Sequence, residues 1–201
     1  MTDFSSLVAR HRDFASPVLT VDWALLRLLD QQGSQLLQED LRANSHPWEV
    51  LTATEHAWEV IPEQPGLYVF VWRPWFSFDI AENRKPGDVA QVLYVGKAGA
   101  DDQGRPSGGN LRQRYRSYLK HMKADPSDLW GRTEPRTRLQ SLDRYLALRP
   151  LEYWFTVVPD HQHVPQLEDR LIKMLNPPCN KQRAPKIPAK FKPAVPAMQQ
   201  P

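Results

Sequence analysis

The chain has 201 residues, 41% of them hydrophobic, with seven tryptophans and a formal net charge of +3. That is enough apolar material to bury the core of one ordinary domain and too much for a disordered chain. A single cysteine, Cys179, excludes an internal disulfide and a cysteine-rich metal site. No apolar run approaches the roughly 20 residues that span a bilayer, and the opening residues lack a signal-peptide core. A cytoplasmic location is the expectation.

Charge is segregated along the chain. Residues 1–60 carry four Lys/Arg against nine Asp/Glu, whereas residues 97–149 carry twelve against six. From residue 181 onward there are five basic residues and no acidic one. A one-sided positive field of this kind suits a polyanionic partner such as nucleic acid. A solvated basic face without a partner is the plain alternative.

In chain order, residues 20–44 show apolar side chains at helical spacing with a break near Gly33, which predicts one interrupted helix or two short ones. The runs "GLYVFVW" (66–72) and "QVLYVG" (91–96) are aromatic and β-branched, as strands are. Between them, residues 73–90 are too many for a tight hairpin. Residues 100–109 read as a glycine-rich loop, after which Asn110 stands where a helix N-cap belongs. Helices follow over 111–122 and 134–148, a third strand over 151–159 and a last helix over 164–175. The Pro/Lys-rich stretch 183–201 reads as a flexible tail.

"VLYVGKAG" (92–99) invites comparison with a phosphate-binding loop, whose pattern needs a glycine five residues before the Gly-Lys pair and a hydroxyl after it. Gln91 and Ala98 occupy those positions. The glycine that lets the backbone wrap a phosphate is absent, and so is the magnesium-binding hydroxyl. A nucleotide-hydrolysing function is therefore disfavoured.

Two helices carry unusual side chains. On the 164–175 helix, Leu167, Leu171, Ile172, Met174 and Leu175 share one arc, and Glu168 falls inside it. A carboxylate aimed at a core is costly unless it is paired or binds a metal. A buried Glu–Arg pair, or a helix whose arc ends at a cleft edge, is the structural explanation to set against a metal site. On the 111–122 helix, Arg112, Arg116 and Lys120 line one flank, suited to nonspecific phosphate contact, while Arg114 lies on the other beside Tyr118 and His121. An amphipathic helix with cationic edges would look the same.

Taken in order, these elements resemble the GIY-YIG nuclease family. Gly66-Leu67-Tyr68 and Tyr94-Val95-Gly96 match its two name motifs, and Lys97 follows the second. "NLRQRYRSYL" aligns with the helix of the family's essential arginine, at Arg114, and "EDRLIKML" with that of its metal-binding glutamate, at Glu168. "LNPPCNK" supplies the family's final asparagine as Asn180. The resemblance spans roughly residues 64–182. The departures are the twenty-five residues between Tyr68 and Tyr94 and the extended loop before Arg114. Both insertions spare every matched position.

The resemblance implies an α/β (α+β) fold: a small, mainly antiparallel three-stranded sheet flanked by helices. It divides the chain into an N-terminal, mostly helical extension (1–60), a nuclease-like domain (61–182) and the tail (183–201). It implies metal-dependent hydrolysis of phosphodiester bonds in DNA. One Mg²⁺ or Mn²⁺ ion would sit on Glu168, a hard-oxygen site that keeps several waters. Tyr94 would be the general base or water-orienting group, Arg114 would hold the scissile phosphate, and Lys97 would add positive charge. Tyr68 would join the hydrogen-bond network, Asn180 would position one of these groups, and Tyr118 or His121 could handle a further proton. The competing expectations are a nuclease-like module that binds nucleic acid without cutting it, and a protein-interaction domain acting through the acidic 1–60 segment.

Overall fold

The computed structural model describes residues 30–74, 77–78, 87–123 and 137–180. The first part of the 20–44 helix, the start of the 134–148 helix, most of the 73–90 excursion and the tail lie outside the described residues. The elements are helix α1 (Gln31–Asn44), strand β1 (Glu49–Thr52), a 3-10 turn (Ala57–Glu59), strand β2 (Gly66–Trp72) and two short paired strands, β3 (Ser77–Phe78) and β4 (Gly87–Asp88). There follow strand β5 (Gln91–Ala98), helices α2 (Leu111–Met122) and α3 (Arg138–Tyr145), strand β6 (Leu151–Val157), helix α4 (His163–Leu175) and a 3-10 turn at Pro178–Asn180.

The main sheet has four strands in the order β1-β6-β2-β5, every neighbouring pair antiparallel. This corrects the expectation of three strands. The extra one, β1, comes from the segment read as a helical extension. It hid because "EVLT" pairs only with β6 and has just Leu51 half-buried, so it carries no apolar alternation. The α+β class itself is as expected.

β2 lies between β6 and β5 and is buried on both faces except at Trp72, which explains its unbroken apolar run. The faces differ in character. Tyr68, Phe70, Tyr94, Tyr153 and Phe155 form an aromatic layer with Tyr115 and Tyr118 of α2 and Leu142 and Tyr145 of α3. Leu67, Val69, Val71 and Val95 form an aliphatic layer with Leu167, Leu171 and Ile172 of α4 and Leu37 of α1. An ion pair between Arg170 and Asp40 ties α4 to α1 across that second layer.

Helix ends follow their local chemistry. The Asn110 side chain accepts from Gln113 N at 2.9 Å, and Gln113 reaches back to complete a capping box. Asp30 caps α1 by accepting from Gly33 N at 2.9 Å, so the break near Gly33 marks a first turn. Among the described residues, no helix is long and apolar enough to cross a membrane.

Candidate active site

The pairing of β2 with β5 sets Tyr68 opposite Gly96 and Phe70 opposite Tyr94, so both motif tyrosines project into the aromatic layer. Helix α2 lowers Tyr118 between them. The Tyr68 and Tyr118 hydroxyls are 3.0 Å apart, and Tyr118 donates to the Tyr94 oxygen at 3.1 Å. A hydroxyl has one proton to give, so Tyr68 donates to Tyr118. From α3, Arg138 donates to the same Tyr94 oxygen, and its guanidinium carbon lies 5.2 Å from the centre of the Tyr94 ring. The chain therefore runs Tyr68 to Tyr118 to Tyr94, with an arginine closing the far end.

Burial pushes the Tyr68 hydroxyl well above its ordinary pKa, and the neighbouring phenols of Tyr94, Tyr118 and Tyr153 push in the same direction. Tyr68 stays protonated. For Arg138 burial alone would lower the pKa, but the surrounding phenols of Tyr94, Tyr118 and Tyr68 outweigh it and raise it. That guanidinium stays charged.

Lys97 and Glu168 form a second group. Glu168 is 4% exposed, so the anomaly in the α4 pattern is real. A lysine pairs with it: Lys97 Nζ stands 3.3 Å from Glu168 Oε2 and 2.6 Å from Asp102 Oδ1. Side chains alternate along β5, so Lys97 faces the aliphatic layer and α4 while Tyr94 faces the aromatic layer. Both groups draw on β5, whose outer margin is an edge of the sheet.

Asn180 lies on that margin, 2% exposed. Its side-chain oxygen accepts from Val95 N at 2.8 Å and its side-chain nitrogen donates to Val95 O at 2.9 Å. The amide thus takes the place of a neighbouring strand and fixes the backbone between Tyr94 and Gly96.

Arg114 joins neither group. It is exposed on α2 above the loop at Gly109, where an added Cβ would come within 3.4 Å of its Nε. Among the described residues its guanidinium has no ion-pair partner. The flank residues divide. Arg112 donates to Ile61 O at 2.8 Å and pairs with Glu63 at 2.6 Å, while Arg116 lies 5.0 Å from the centre of the Trp58 ring. Lys120 is exposed and unpaired among the described residues. His121, 5% exposed, hydrogen-bonds Asp143 through Nδ1 at 2.6 Å.

Among the described residues no group of three or more His, Cys, Asp or Glu side chains could hold a metal. The carboxylates at the β5 margin are Glu168 and Asp102, both on the Lys97 ammonium. All-oxygen donors, few in number, fit a hard divalent cation that keeps most of its water shell.

Arg138 is the residue that sequence reasoning missed. Its only local signal is its place just after the Thr137 N-cap, while the group it serves is 44 positions away. No family model, curated protein or solved structure matches this chain.

Proposed function

We propose that the chain is a metal-dependent endonuclease of the GIY-YIG type that hydrolyses phosphodiester bonds in DNA. The observation that carries the reading is the shared hydroxyl network of Tyr68 and Tyr94, joined through Tyr118 across the β2–β5 pair. Buried phenols need hydrogen-bond partners in any core; the feature a plain core does not call for is the charged guanidinium set on the Tyr94 oxygen.

Roles follow from the chemistry. Tyr94, as phenolate, takes a proton from the attacking water as that oxygen bonds phosphorus. The P–O3′ bond breaks and the 3′-oxygen is protonated from solvent. Arg114, exposed and without an ion pair among the described residues, offers a planar fork to the scissile phosphate. Glu168, with Asp102 beside it, would hold Mg²⁺ or Mn²⁺, which supplies charge neutralisation for the phosphate and the leaving oxygen. Lys97 holds the Glu168 carboxylate in place. Asn180 positions the strand and touches no reacting atom. On the basic flank, Lys120 is the side chain available to phosphates, with Arg112 and Arg116 held by protein partners.

A module that binds nucleic acid without cutting it draws support from one observation: Lys97 already neutralises Glu168. The deciding measurement is cleavage of labelled supercoiled, linear and single-stranded DNA with Mg²⁺, Mn²⁺ or EDTA, with Glu168→Ala alongside. Metal-dependent cutting by the wild type, lost in a folded Glu168→Ala that still binds DNA, is the expected outcome. Salt-sensitive binding with no cutting would establish the binding module.

A further inference from the structure

Tyr68, Tyr94 and Tyr118 are all buried and hydrogen-bonded to one another, at 1%, 2% and 7% exposure, so burial alone does not distinguish them. Their partners do. Tyr68 donates its proton to Tyr118 and stacks on Tyr153, among neutral rings. Tyr118 accepts one hydrogen bond and gives one. Tyr94 alone accepts from both a phenol and a guanidinium, and has that cation over its ring face. Every one of these contacts favours the phenolate over the phenol.

We propose that Arg138 selects Tyr94, over Tyr68 and Tyr118, as the phenol of this chain that gives up its proton. Two otherwise similar acids in one site are driven apart by their surroundings. Among the described residues, the groups facing Tyr94 include Tyr68 from β2, Tyr118 from α2 and Arg138 from α3; the His121–Asp143 pair lies one ring further out beside Tyr118. Cys179, on the closing turn, gives its Sγ hydrogen bond to Ser141 O of α3, and burial pushes its thiol up, so it stays neutral. Among the described residues, Arg138 is therefore the cation set on Tyr94. The catalytic consequence rests on the endonuclease reading, whereas the order of ionisation does not. Arg138 is a positioning residue, acting through Tyr94.

The test is an NMR titration of the full chain with tyrosine labelled with ¹³C at Cζ, which gives six resonances. Tyr94→Phe assigns the one that matters. In the wild type, Tyr94 should ionise at the lowest pH of the six. In Arg138→Met it should move up by about 1–2 pH units, with a smaller move in Arg138→Lys, which keeps the charge but loses the fork. Should Arg138→Met fail to fold, Arg138→Lys carries the test alone. A Tyr94 titration unmoved in a folded variant, or Tyr68 or Tyr118 ionising first in the wild type, would overturn the proposal. A pH–rate profile of DNA cleavage separates the two readings. Under both, the acid limb moves up with Tyr94 while KM holds. A titration shift in a chain that cuts nothing upholds the ionisation order and sinks the endonuclease. Cutting whose acid limb, like Tyr94, ignores Arg138 does the reverse.

Discussion

A Cβ added to Gly96 would lie 2.4 Å from Tyr68 Cζ and 2.5 Å from its hydroxyl oxygen, and one added to Gly66 would lie 2.1 Å from the Thr156 carbonyl oxygen. The glycines that end and begin the two tripeptides are thus there for space: the Tyr68 ring lies across Gly96. Because that ring is locked among Phe70, Tyr118 and Tyr153, it cannot swing aside without losing its bond to Tyr118. Gly96→Ala should therefore cost about 1–3 kcal/mol by urea denaturation. On the endonuclease reading it should also lower cleavage more than DNA affinity. Equal stability and activity in the variant would mean that the hydroxyl chain tolerates displacement. At this scale Glu168 is legible in the sequence, because one carboxylate on an apolar helical arc violates a periodicity. Arg138 is not legible, because nothing local to a capped, cationic first turn reveals which ring it will meet. Arg112 is misread for the same reason: on the helix it looks like a phosphate contact, and only the fold shows that Ile61 and Glu63 hold it.

Strand β5 and helix α4 are joined by one charged contact in an otherwise aliphatic layer. The side chains of Lys97 and Glu168 are 11% and 6% exposed, so removing Lys97 takes the ammonium from a desolvated carboxylate, at up to about 3–5 kcal/mol, whereas removing Glu168 costs less because Lys97 keeps Asp102. Removing both lifts that penalty. Lys97→Met combined with Glu168→Leu should be more stable in thermal denaturation than either single variant, by a coupling that no exposed pair gives. A double variant whose loss equals the sum of the singles would show that the pair is not coupled. Since a structural pair and a cation site draw on the same carboxylate, the cycle also measures how much of the burial serves stability. Strands β2, β5 and β6 and helices α2 and α4 are legible because their apolar patterns are long or periodic. β1 is not, since four residues on an exposed edge leave no pattern to find.

Across the whole molecule the aromatic layer sets a limit on pH. Burial raises Tyr68 and Tyr153 well above the ordinary tyrosine value and lifts Tyr115 to about 12. The raised folded-state values stabilise the fold fully below the unfolded pKa of about 10, and that stability is lost as pH rises toward the folded values. Denaturation midpoints should hold steady below pH 10 and then fall steeply and cooperatively toward about 12. A flat profile through that range would mean that the rings ionise without unfolding. The charge segregation legible in the sequence says which partners to test, but not where they dock. The last consequence belongs to Asn180. An edge strand with open backbone groups is a template for another strand, from a second copy or a stray peptide. With the Asn180 amide on both polar groups of Val95, any incoming strand must first evict it. The same side chain that steadies the tyrosine-bearing strand thus guards the β5 edge of the sheet against pairing with another chain.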